Sequence, residues 1–485
     1  MSSQTALLEA LRLLLPRGAL LCDKEDLHPY ECDGLSVYRA LPLAVCLPET
    51  VEQVQQILQL CYARRVPVVA RGAGTGLSGG ALPSPGCVVL SLAKFTSILE
   101  IDPDNRIARL QPGVRNLAIS QAVACHGLYY APDPSSQIAC TIGGNVAENS
   151  GGVHCLKYGL TVHNVLGIKL LTMAGELLVI GGATLDAPGY DLLAVINGSE
   201  GLMGVIVEVT VKLLVKPERA QVVLAAFDDI GRAGEAVGGI IAAGILPAGL
   251  EMMDNLAIRA AEAYSHAGYP VDAAAIILCE LDGGNEEVSE QISCVRQLLL
   301  KAGAIDVRSS RDEAERLQLW AGRKAAFPAV GRMAPDYYCM DGTIPRRRLA
   351  EVLVRISEMS REYGLVVANV FHAGDGNLHP LILYDANKPG ELARTEAFGG
   401  RILELCIAVG GTITGEHGVG MEKIDQMCHQ FNPPELAQFH ALKHAFDPDG
   451  LLNPGKAVPT LHRCAELGGM HVHGGKLPFP ELERF

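Results

Sequence analysis

The sequence predicts a mixed α+β architecture with two or three domains. The chain has 485 residues, more than one hydrophobic core usually serves. Hydrophobic residues make up 49% and aromatic residues only 5%, with 53 glycines. This balance favours helices and strands joined by many tight turns over an all-β fold. Beyond Lys216-Pro217, segments of strand and helix period alternate plainly, which predicts an α+β second domain.

Charge and cysteine usage exclude several classes of protein. The formal net charge of −14 argues against nucleic-acid binding, which needs clustered Lys and Arg. The 14 cysteines stand singly, without a C-x-x-C pair, which favours reduced thiols and speaks against an iron–sulfur cluster in this chain. No segment reaches the ~18 apolar residues of a membrane helix, and no signal peptide is apparent. We therefore expect a cytoplasmic protein, free or held peripherally at the inner face of the cell membrane.

Local patterns divide the first half of the chain. The pattern of residues 1–40 predicts a helical N-terminal lead-in. Thr50 and Gln53 form a capping-box pattern, which predicts that a helix begins there. A buried strand over 66–70 leads directly into a glycine loop. Further strands are expected at 87–92, 106–110, 165–171, 177–180 and 204–214. Residues 130–160 show no period and are predicted to form a long functional loop.

The glycine loop, residues 71–80, supports two interpretations. Gly74, Gly76 and Gly79 fit G-x-G-x-x-G, the dinucleotide fingerprint, but that motif must open a helix. Pro83 and Pro85 follow too closely for a helix. Without a helix, consecutive backbone N–H groups of such a loop can still form a nest for a phosphate. The competing interpretation is a plain connecting turn.

The second domain contains two small-residue turns that carry histidine and carboxylate. One is Phe371-His-Ala-Gly-Asp-Gly-Asn-Leu-His379, and the other is Gly415-Glu-His-Gly418. A single histidine is more often a surface or hydrogen-bonded residue than a ligand. Three histidines and a glutamate in two such turns together have a composition suited to a metal site.

Glycine clusters after the loop carry a resemblance to a known family. The loop 71–80, the segment 132–159 and the cluster 198–206 resemble, in order and spacing, the FAD-binding domain of the vanillyl-alcohol oxidase and p-cresol methylhydroxylase superfamily. The resemblance to bacterial glycolate oxidase subunits that bind FAD extends through 335–345 and the C-terminal tail. It implies a two-part FAD-binding domain over 41–217, an FAD-linked oxidase C-terminal domain over 218–457 and a docking tail over 458–485. Because loop 71–80 contains no histidine, we expect non-covalent FAD.

The resemblance also implies residue roles. His372, His379 and Glu416 would bind a divalent metal, with zinc the first choice and manganese or iron also compatible. His417 would act as the base, and Arg323 would bind the substrate carboxylate, unless it belongs to a solvated helix face. The residues expected to contact FAD are Arg71, Gly72, Ala73, Gly74, Thr75, Gly76, Leu77, Ser78, Pro132, Asp133, Ser135, Ser136, Thr141, Gly143, Gly144, Asn145, Asn149, Gly151, Gly152, Tyr158, Gly201, Gly204, Ile206 and Asn453.

The implied activity is oxidation of glycolate, and of D-lactate, with hydride transfer to the flavin. Ala325-Ala-Phe327 after the arginine implies a small apolar pocket that disfavours diacids. Electrons would leave through a second FAD-domain subunit and an iron–sulfur subunit. The alternatives are a D-lactate dehydrogenase, a metal-dependent hydrolase without flavin, and a non-catalytic FAD-binding scaffold subunit.

Overall fold

A computed structural model describes residues 3–185 and 188–460. Its first half contains short strands and mostly short helices. The helices are α1 (Ser3–Leu14), α2 (Lys24–Leu27), α3 (Val51–Ala63), α4 (Asn116–Val123), α5 (Ile142–Glu148), α6 (Cys155–Tyr158) and α7 (Leu192–Ile196). The strands are β1 (Leu20–Leu21), β2 (Ala44–Cys46), β3 (Val68–Arg71), β4 (Val88–Ser91), β5 (Ile98–Asp102), β6 (Ile107–Leu110), β7 (Leu128–Tyr129), β8 (Val165–Leu171), β9 (Leu177–Gly181), β10 (Val205–Lys212) and β11 (Leu214–Val215).

These strands form two main sheets. The first has the order β1-β2-β4-β3, with β2, β4 and β3 parallel, and the second is antiparallel in the order β5-β6-β10-β8-β9. Helix α3 begins at the predicted cap, where Thr50 Oγ1 accepts a hydrogen bond from Gln53 N at 3.3 Å. Its apolar face, which includes Val54 and Leu58, packs into the core of the first sheet. The glycine loop therefore starts from a well-anchored parallel strand.

The segment 130–160 differs from its prediction as one long loop. It contains α5 and α6, and α5 begins after Thr141 and ends at Asn149, whose φ of 50° is left-handed. The helix escaped detection because it is only 7 residues long and carries Gly143 and Gly144 in its first turn. Strand β5 was also not predicted.

The second half is built from longer elements. Its helices are α8 (Ile230–Ala242), α9 (Asn255–Ser265), α10 (Asn285–Lys301), α11 (Glu313–Lys324), α12 (Ala326–Val330), α13 (Leu349–Tyr363), α14 (Glu391–Ala408), α15 (Ile424–Gln430) and α16 (Pro433–Phe446). Its strands are β12 (Arg219–Phe227), β13 (Gly249–Asp254), β14 (Ala275–Gly283), β15 (Asp306–Ser309), β16 (Asp336–Cys339), β17 (Gly342–Thr343), β18 (Val366–His372) and β19 (Asn377–Tyr384).

One antiparallel sheet of eight strands organises this half, in the order β15-β12-β14-β13-β18-β19-β16, with β17 beside β19. Successive side chains of β12 point to opposite faces, so Val222 joins the core under α9, α11 and α12, whereas Val223 joins the core under α8, α10, α13 and α14. A sheet covered on both faces explains why its strands are apolar almost throughout. The polar residues on these strands are therefore conspicuous.

The last described residues return to the first half. Val68 N donates to Leu451 O, and Asn453 N donates to Val68 O, each at 2.8 Å, so this segment adds to the edge of β3. Nearly all of the predicted docking tail lies outside the described residues. Among residues 3–185 and 188–460, twelve cysteines carry free thiols, but Cys428 is disulfide-bonded, so the expectation of reduced thiols is wrong at that residue. Across 3–185 and 188–460, no helix is long and apolar enough to cross a membrane.

Candidate active site

A cavity of about 460 Å³ joins the glycine loop of the first half to the histidine turns of the second. Sixteen of the residues predicted to contact FAD line it: Arg71, Gly72, Ala73, Gly74, Thr75, Gly76, Leu77, Ser135, Ser136, Thr141, Gly143, Gly144, Asn145, Gly201, Gly204 and Ile206. The same cavity is lined by Arg323, His372, His379, Glu416 and His417. Residues separated by more than 300 positions in the sequence therefore line one cavity.

The glycine loop forms a cradle of backbone donors. Within the described chain, we find no protein acceptor for the backbone N–H groups of residues 72–78. A side chain would not fit at Gly72, because a Cβ added there would lie 2.5 Å from Thr141 Oγ1. The hydroxyl of Thr141 is itself buried without a hydrogen-bond partner. Free N–H groups in a glycine-lined concavity suit the pyrophosphate of a dinucleotide.

Arg71 is held beside this cradle. Its Nη1 donates to Ala81 O at 3.5 Å, and its guanidinium lies 5.6 Å from the ring centre of Tyr30. A Cβ on Gly74 would lie 2.2 Å from Arg71 Nη2, so the glycine makes room for the guanidinium. Gly74 also has a φ of 70°, which favours glycine.

Eight of the predicted FAD contacts do not line the cavity, and most of them support its walls instead. Asp133 is ion-paired to His154, and Tyr158 donates to Asp282 Oδ2 at 2.7 Å. Asn453 Nδ2 donates to the carbonyl oxygens of Gly80 and Glu200 at 2.8 and 2.7 Å, which ties two glycine clusters together. The remaining five are Ser78, Pro132, Asn149, Gly151 and Gly152.

These five have identifiable places in the packing. The carbonyl oxygens of Ser78 and Pro132 accept hydrogen bonds from Met421 N and Asn116 Nδ2. Asn149 Oδ1 accepts from Val162 N at 2.9 Å. A Cβ on Gly151 would lie 2.3 Å from Glu416 Oε2, and one on Gly152 would lie 2.6 Å from the backbone of Asp133. Spacing alone could not separate such supports from lining residues.

The two histidine turns converge on one point. Glu416 Oε1 lies 3.2 Å from His372 Nε2 and 3.3 Å from His379 Nε2. The ring of His417 stacks on that of His379, with centres 4.8 Å apart. His372 stands at the end of β18 and His379 on the adjacent strand β19. The three predicted ligands thus offer two imidazole nitrogens and a carboxylate oxygen within 4.8 Å of one another, a donor set that fits a divalent metal.

Glu251, on β13, connects this triad to the predicted substrate arginine. Its Oε1 lies 2.8 Å from His372 Nδ1, and its Oε2 accepts from Arg323 Nε at 2.8 Å. Burial alone would raise the pKa of Glu251, but Arg323 and His372 outweigh it and hold that pKa below its ordinary value. Arg323 is only 1% exposed, so it does not belong to a solvated helix face. Its Nη2 also lies 2.5 Å from Glu251 Oε2, so the guanidinium is held by that carboxylate where Arg323 lines the cavity.

Asp341 organises the second histidine turn. Its carboxylate accepts hydrogen bonds from Thr414 Oγ1 at 2.6 Å, from the backbone N–H groups of Gly415, Glu416 and His417, and from Lys423 Nζ at 2.9 Å. Burial opposes the charged form, but Lys423, His417 and His379 hold the pKa of Asp341 well below its ordinary value. The turn is therefore fixed around a permanent anion.

The charges of the site are set by these neighbours. Burial would raise the pKa of Glu416, but His372 above all lowers it to about 2. Burial lowers the pKa of His417 to about 4, with His379 adding to the effect against the opposing pull of Asp341. Glu416 is thus anionic at neutral pH, and His417 is an uncharged imidazole.

Glu200 joins the turn to the first half of the chain. Its carboxylate accepts from Val419 N and Gly420 N, each at 2.7 Å. Sequence reasoning missed Glu200, Glu251 and Asp341 as members of the site. One signal was present: Glu251 interrupts an apolar strand, where a buried charge is costly unless it is paired.

Comparison with known proteins agrees with this geometry. Residues 42–181 match a family model described as an FAD binding domain, and residues 216–457 match the C-terminal domain of FAD linked oxidases. A relative from Escherichia coli (strain K12), named glycolate oxidase subunit GlcD, is 67% identical over 99% of this chain and 97% of its own length. The chain belongs to the FAD-linked oxidase family.

More distant relatives extend the family. A D-lactate dehydrogenase of Anaerostipes hadrus is 31% identical over 93% of this chain and 96% of its own length. Substrate-bound p-cresol methylhydroxylase has the same fold, with a TM-score of 0.80 at 19% identity, covering 95% of this chain and 97% of that one. The family resemblance seen in the sequence is confirmed. The predicted fold class, a flavin-binding domain of the p-cresol methylhydroxylase type followed by an oxidase C-terminal domain, is confirmed as well.

Proposed function

We propose that the chain is a flavin-dependent 2-hydroxy-acid dehydrogenase that oxidises glycolate to glyoxylate, and D-lactate to pyruvate. The observation that carries the proposal is the single cavity in which a glycine cradle for a dinucleotide meets a histidine–carboxylate triad and a buried arginine. The 67% identical glycolate oxidase subunit supports glycolate as the substrate. The D-lactate dehydrogenase relative supports activity on D-lactate.

The proposed FAD site uses residues 71–77 for the pyrophosphate and the segments 135–145 and 201–206 for the rest of the cofactor. Binding is non-covalent, because loop 71–80 offers no histidine for a bond to the flavin. A divalent metal, with zinc the first choice, would be held by His372, His379 and Glu416. The contact of His372 with Glu251 supports this, since metal-binding histidines commonly present their other nitrogen to a carboxylate. When bound, FAD supplies the redox chemistry and the metal acts as a Lewis acid.

The chain's own side chains would do three things. Arg323 binds the substrate carboxylate, a task suited to a guanidinium. His417 accepts the proton of the substrate hydroxyl at an imidazole nitrogen. Phe327, whose ring lies 5.9 Å from that of His379, makes the wall beside the triad apolar. The substrate loses that proton and its α-hydrogen with two electrons, and a 2-oxo acid results.

The proposal also covers the partner subunits, the cellular location and the domain division of the chain. The electrons would pass to a second FAD-domain subunit and an iron–sulfur subunit, consistent with the word subunit in the name of the Escherichia coli relative. The complex would lie in the cytoplasm or at the inner face of the cell membrane. The domain division at 217 and 457 and the docking role of 458–485 remain part of the proposal.

Anaerobic mixing tests the central claim. The purified protein, loaded with FAD, should lose its visible flavin absorbance when glycolate or D-lactate is added, and a diacid such as D-malate should bleach it far more slowly. Chelation followed by re-addition of Zn²⁺, Mn²⁺ or Fe²⁺ in separate samples identifies the metal. If no 2-hydroxy acid bleaches the flavin, the proposed function is wrong.

A further inference from the structure

A partly buried ionic network lies outside the triad and joins the two halves of the molecule. His154, from the first half, has its Nδ1 3.0 Å from Asp133 Oδ2 and its Nε2 3.1 Å from Glu280 Oε1. Its backbone N–H also donates to Asp133 Oδ1 at 3.2 Å. The imidazole therefore bridges two carboxylates, one from each half.

Each carboxylate leads to a different wall of the cavity. Asp133 belongs to the segment in which Pro134, Ser135 and Ser136 line the cavity on the flavin side. Glu280 lies on β14 and is buried.

The second oxygen of Glu280 binds helix α11. It lies 2.7 Å from Arg316 Nη1 and also accepts a hydrogen bond from Trp320 Nε1. Arg316, Trp320 and Lys324 are spaced by four residues, so they share one face of the helix. Lys324 closes the loop, with its Nζ 3.8 Å from Asp133 Oδ2. Arg323, on the neighbouring face, reaches the cavity and Glu251.

The bridge carries a positive charge. Burial would lower the pKa of His154, but Asp133 and Glu280 outweigh burial and raise it to about 10. A charged imidazole between two carboxylates resists separation of those carboxylates, because moving either one leaves a buried charge without its partner.

We propose that His154 is a positioning residue that holds the substrate-arginine helix α11 at a set distance from the flavin segment 133–136. This inference rests on the proposed function and goes beyond it, since His154 touches neither the metal triad nor the base. Its role is to set the place of Arg323 relative to the flavin. Small misplacement of a group that binds and orients a substrate is enough to weaken its contribution strongly.

The test uses His154→Gln with Lys157→Met as a matched control. Lys157 also joins the first half of the chain to β14, with its Nζ 2.5 Å from Asp282 Oδ1 and 2.7 Å from Asp282 O, but these contacts do not reach α11. Loss of general attachment between the halves would therefore affect both variants, whereas loss of helix positioning would affect only His154→Gln. Asp133→Asn breaks the same bridge from its other end. It tests the positioning role if His154→Gln does not fold.

Kinetics are measured on FAD-saturated protein, so that a change in FAD affinity does not contribute. His154→Gln and Asp133→Asn should raise the KM for glycolate about tenfold and leave kcat within about twofold. The dissociation constant of oxalate, an unreactive carboxylate analogue monitored by the flavin spectrum, should rise in parallel. Lys157→Met should change neither quantity by more than about twofold.

The two proposals fail in different ways. Failure of the wild-type flavin to be reduced by any 2-hydroxy acid rejects the proposed function before variants are compared. An active wild-type protein rejects the positioning role if His154→Gln leaves KM unchanged, lowers kcat alone, or has no more effect than Lys157→Met.

Discussion

The glycine cradle and the histidine turns line one cavity but are built on opposite principles. At Gly72 and Gly143 the cradle depends on missing side chains, since a Cβ there would lie 2.5 Å from Thr141 Oγ1 and 2.6 Å from Pro112 Cβ. Its functional groups are backbone N–H groups that the chain cannot omit. The histidine turns depend on particular side chains, and carboxylates distant in the sequence hold them: Glu251 contacts His372, and Asp341 accepts from the backbone of the 414–417 turn. Adding atoms should therefore damage the first region, and removing them should damage the second.

The largest expected effect in the histidine region follows removal of His417, the proposed base. His417→Ala should lower turnover by roughly 10²–10⁴-fold, the usual contribution of a general base. FAD content should not change, because the cradle lies in the other region. Anaerobic flavin reduction by glycolate measures the first quantity, and the visible spectrum measures the second. His126→Ala, at an exposed position, is the control. Unchanged turnover would instead favour the non-catalytic scaffold.

The next effect concerns the carboxylate that organises the turn. Asp341→Asn leaves the fully buried Lys423 without its anion, and breaking such a pair costs about 3–5 kcal/mol. We expect the free energy of unfolding, measured in urea, to fall by that amount. Asp272→Asn, at an exposed position, should leave it within about 0.5 kcal/mol. A loss no greater than in this control would mean that the turn does not depend on Asp341.

A smaller effect tests the cradle by adding one methyl group. Gly72→Ala should force Thr141 to shift, at a cost of about 1–3 kcal/mol, so FAD binding should weaken roughly tenfold to hundredfold. Titration of the apoprotein with FAD, followed by flavin fluorescence, measures the change. Gly182→Ala is matched to it, since a Cβ there would meet nothing within 4 Å. Equal affinity of the two variants would show that the cradle tolerates side chains.

The smallest effect is a pH dependence at the bridge between the two regions. The pKa of His154 is about 10 in the folded protein, against an ordinary value of 6.5. Its charge is paired with Asp133 and Glu280, next to the cations Arg316 and Lys324. A group whose pKa is higher in the folded than in the unfolded protein stabilises the folded state fully below pH 6.5, its ordinary pKa. That stabilisation is lost as the pH rises through about 10, the pKa of the folded state.

Urea unfolding of wild-type protein and His154→Gln measures this dependence. The difference between their free energies of unfolding should be largest near pH 6 and should shrink steadily towards pH 10. Taking the difference removes alkaline effects that both proteins share. A difference that stays constant or grows with pH would mean that the imidazole is not the titrating group.

Prediction from sequence succeeded where a signal is local. Strand β8 was predicted with the bounds that the structure shows, because its 7 residues form a largely apolar run. The short helix α5 escaped, since two glycines in 7 residues leave no period to detect. Among the site residues, the glycine loop, His372, His379 and Glu416 each stand in a compact motif, and the structure brings them to one cavity. Glu251 and Asp341 stand in no motif.

The sequence by itself determined the cradle, the two histidine turns and the family to which the chain belongs. These depend on residue types within about ten positions of one another, where backbone geometry follows from composition. Only the tertiary structure decided which carboxylate orients which partner: Glu251 for His372 and Arg323, Asp341 for the 414–417 turn, and Glu280 for His154. Ion pairing depends on distance through space, and that distance is set by strand register and helix packing across more than 70 residues. The glycine loop therefore predicted a cofactor site from local sequence, whereas the position of Arg323 in the cavity depends on the packing of β13, β18 and α11.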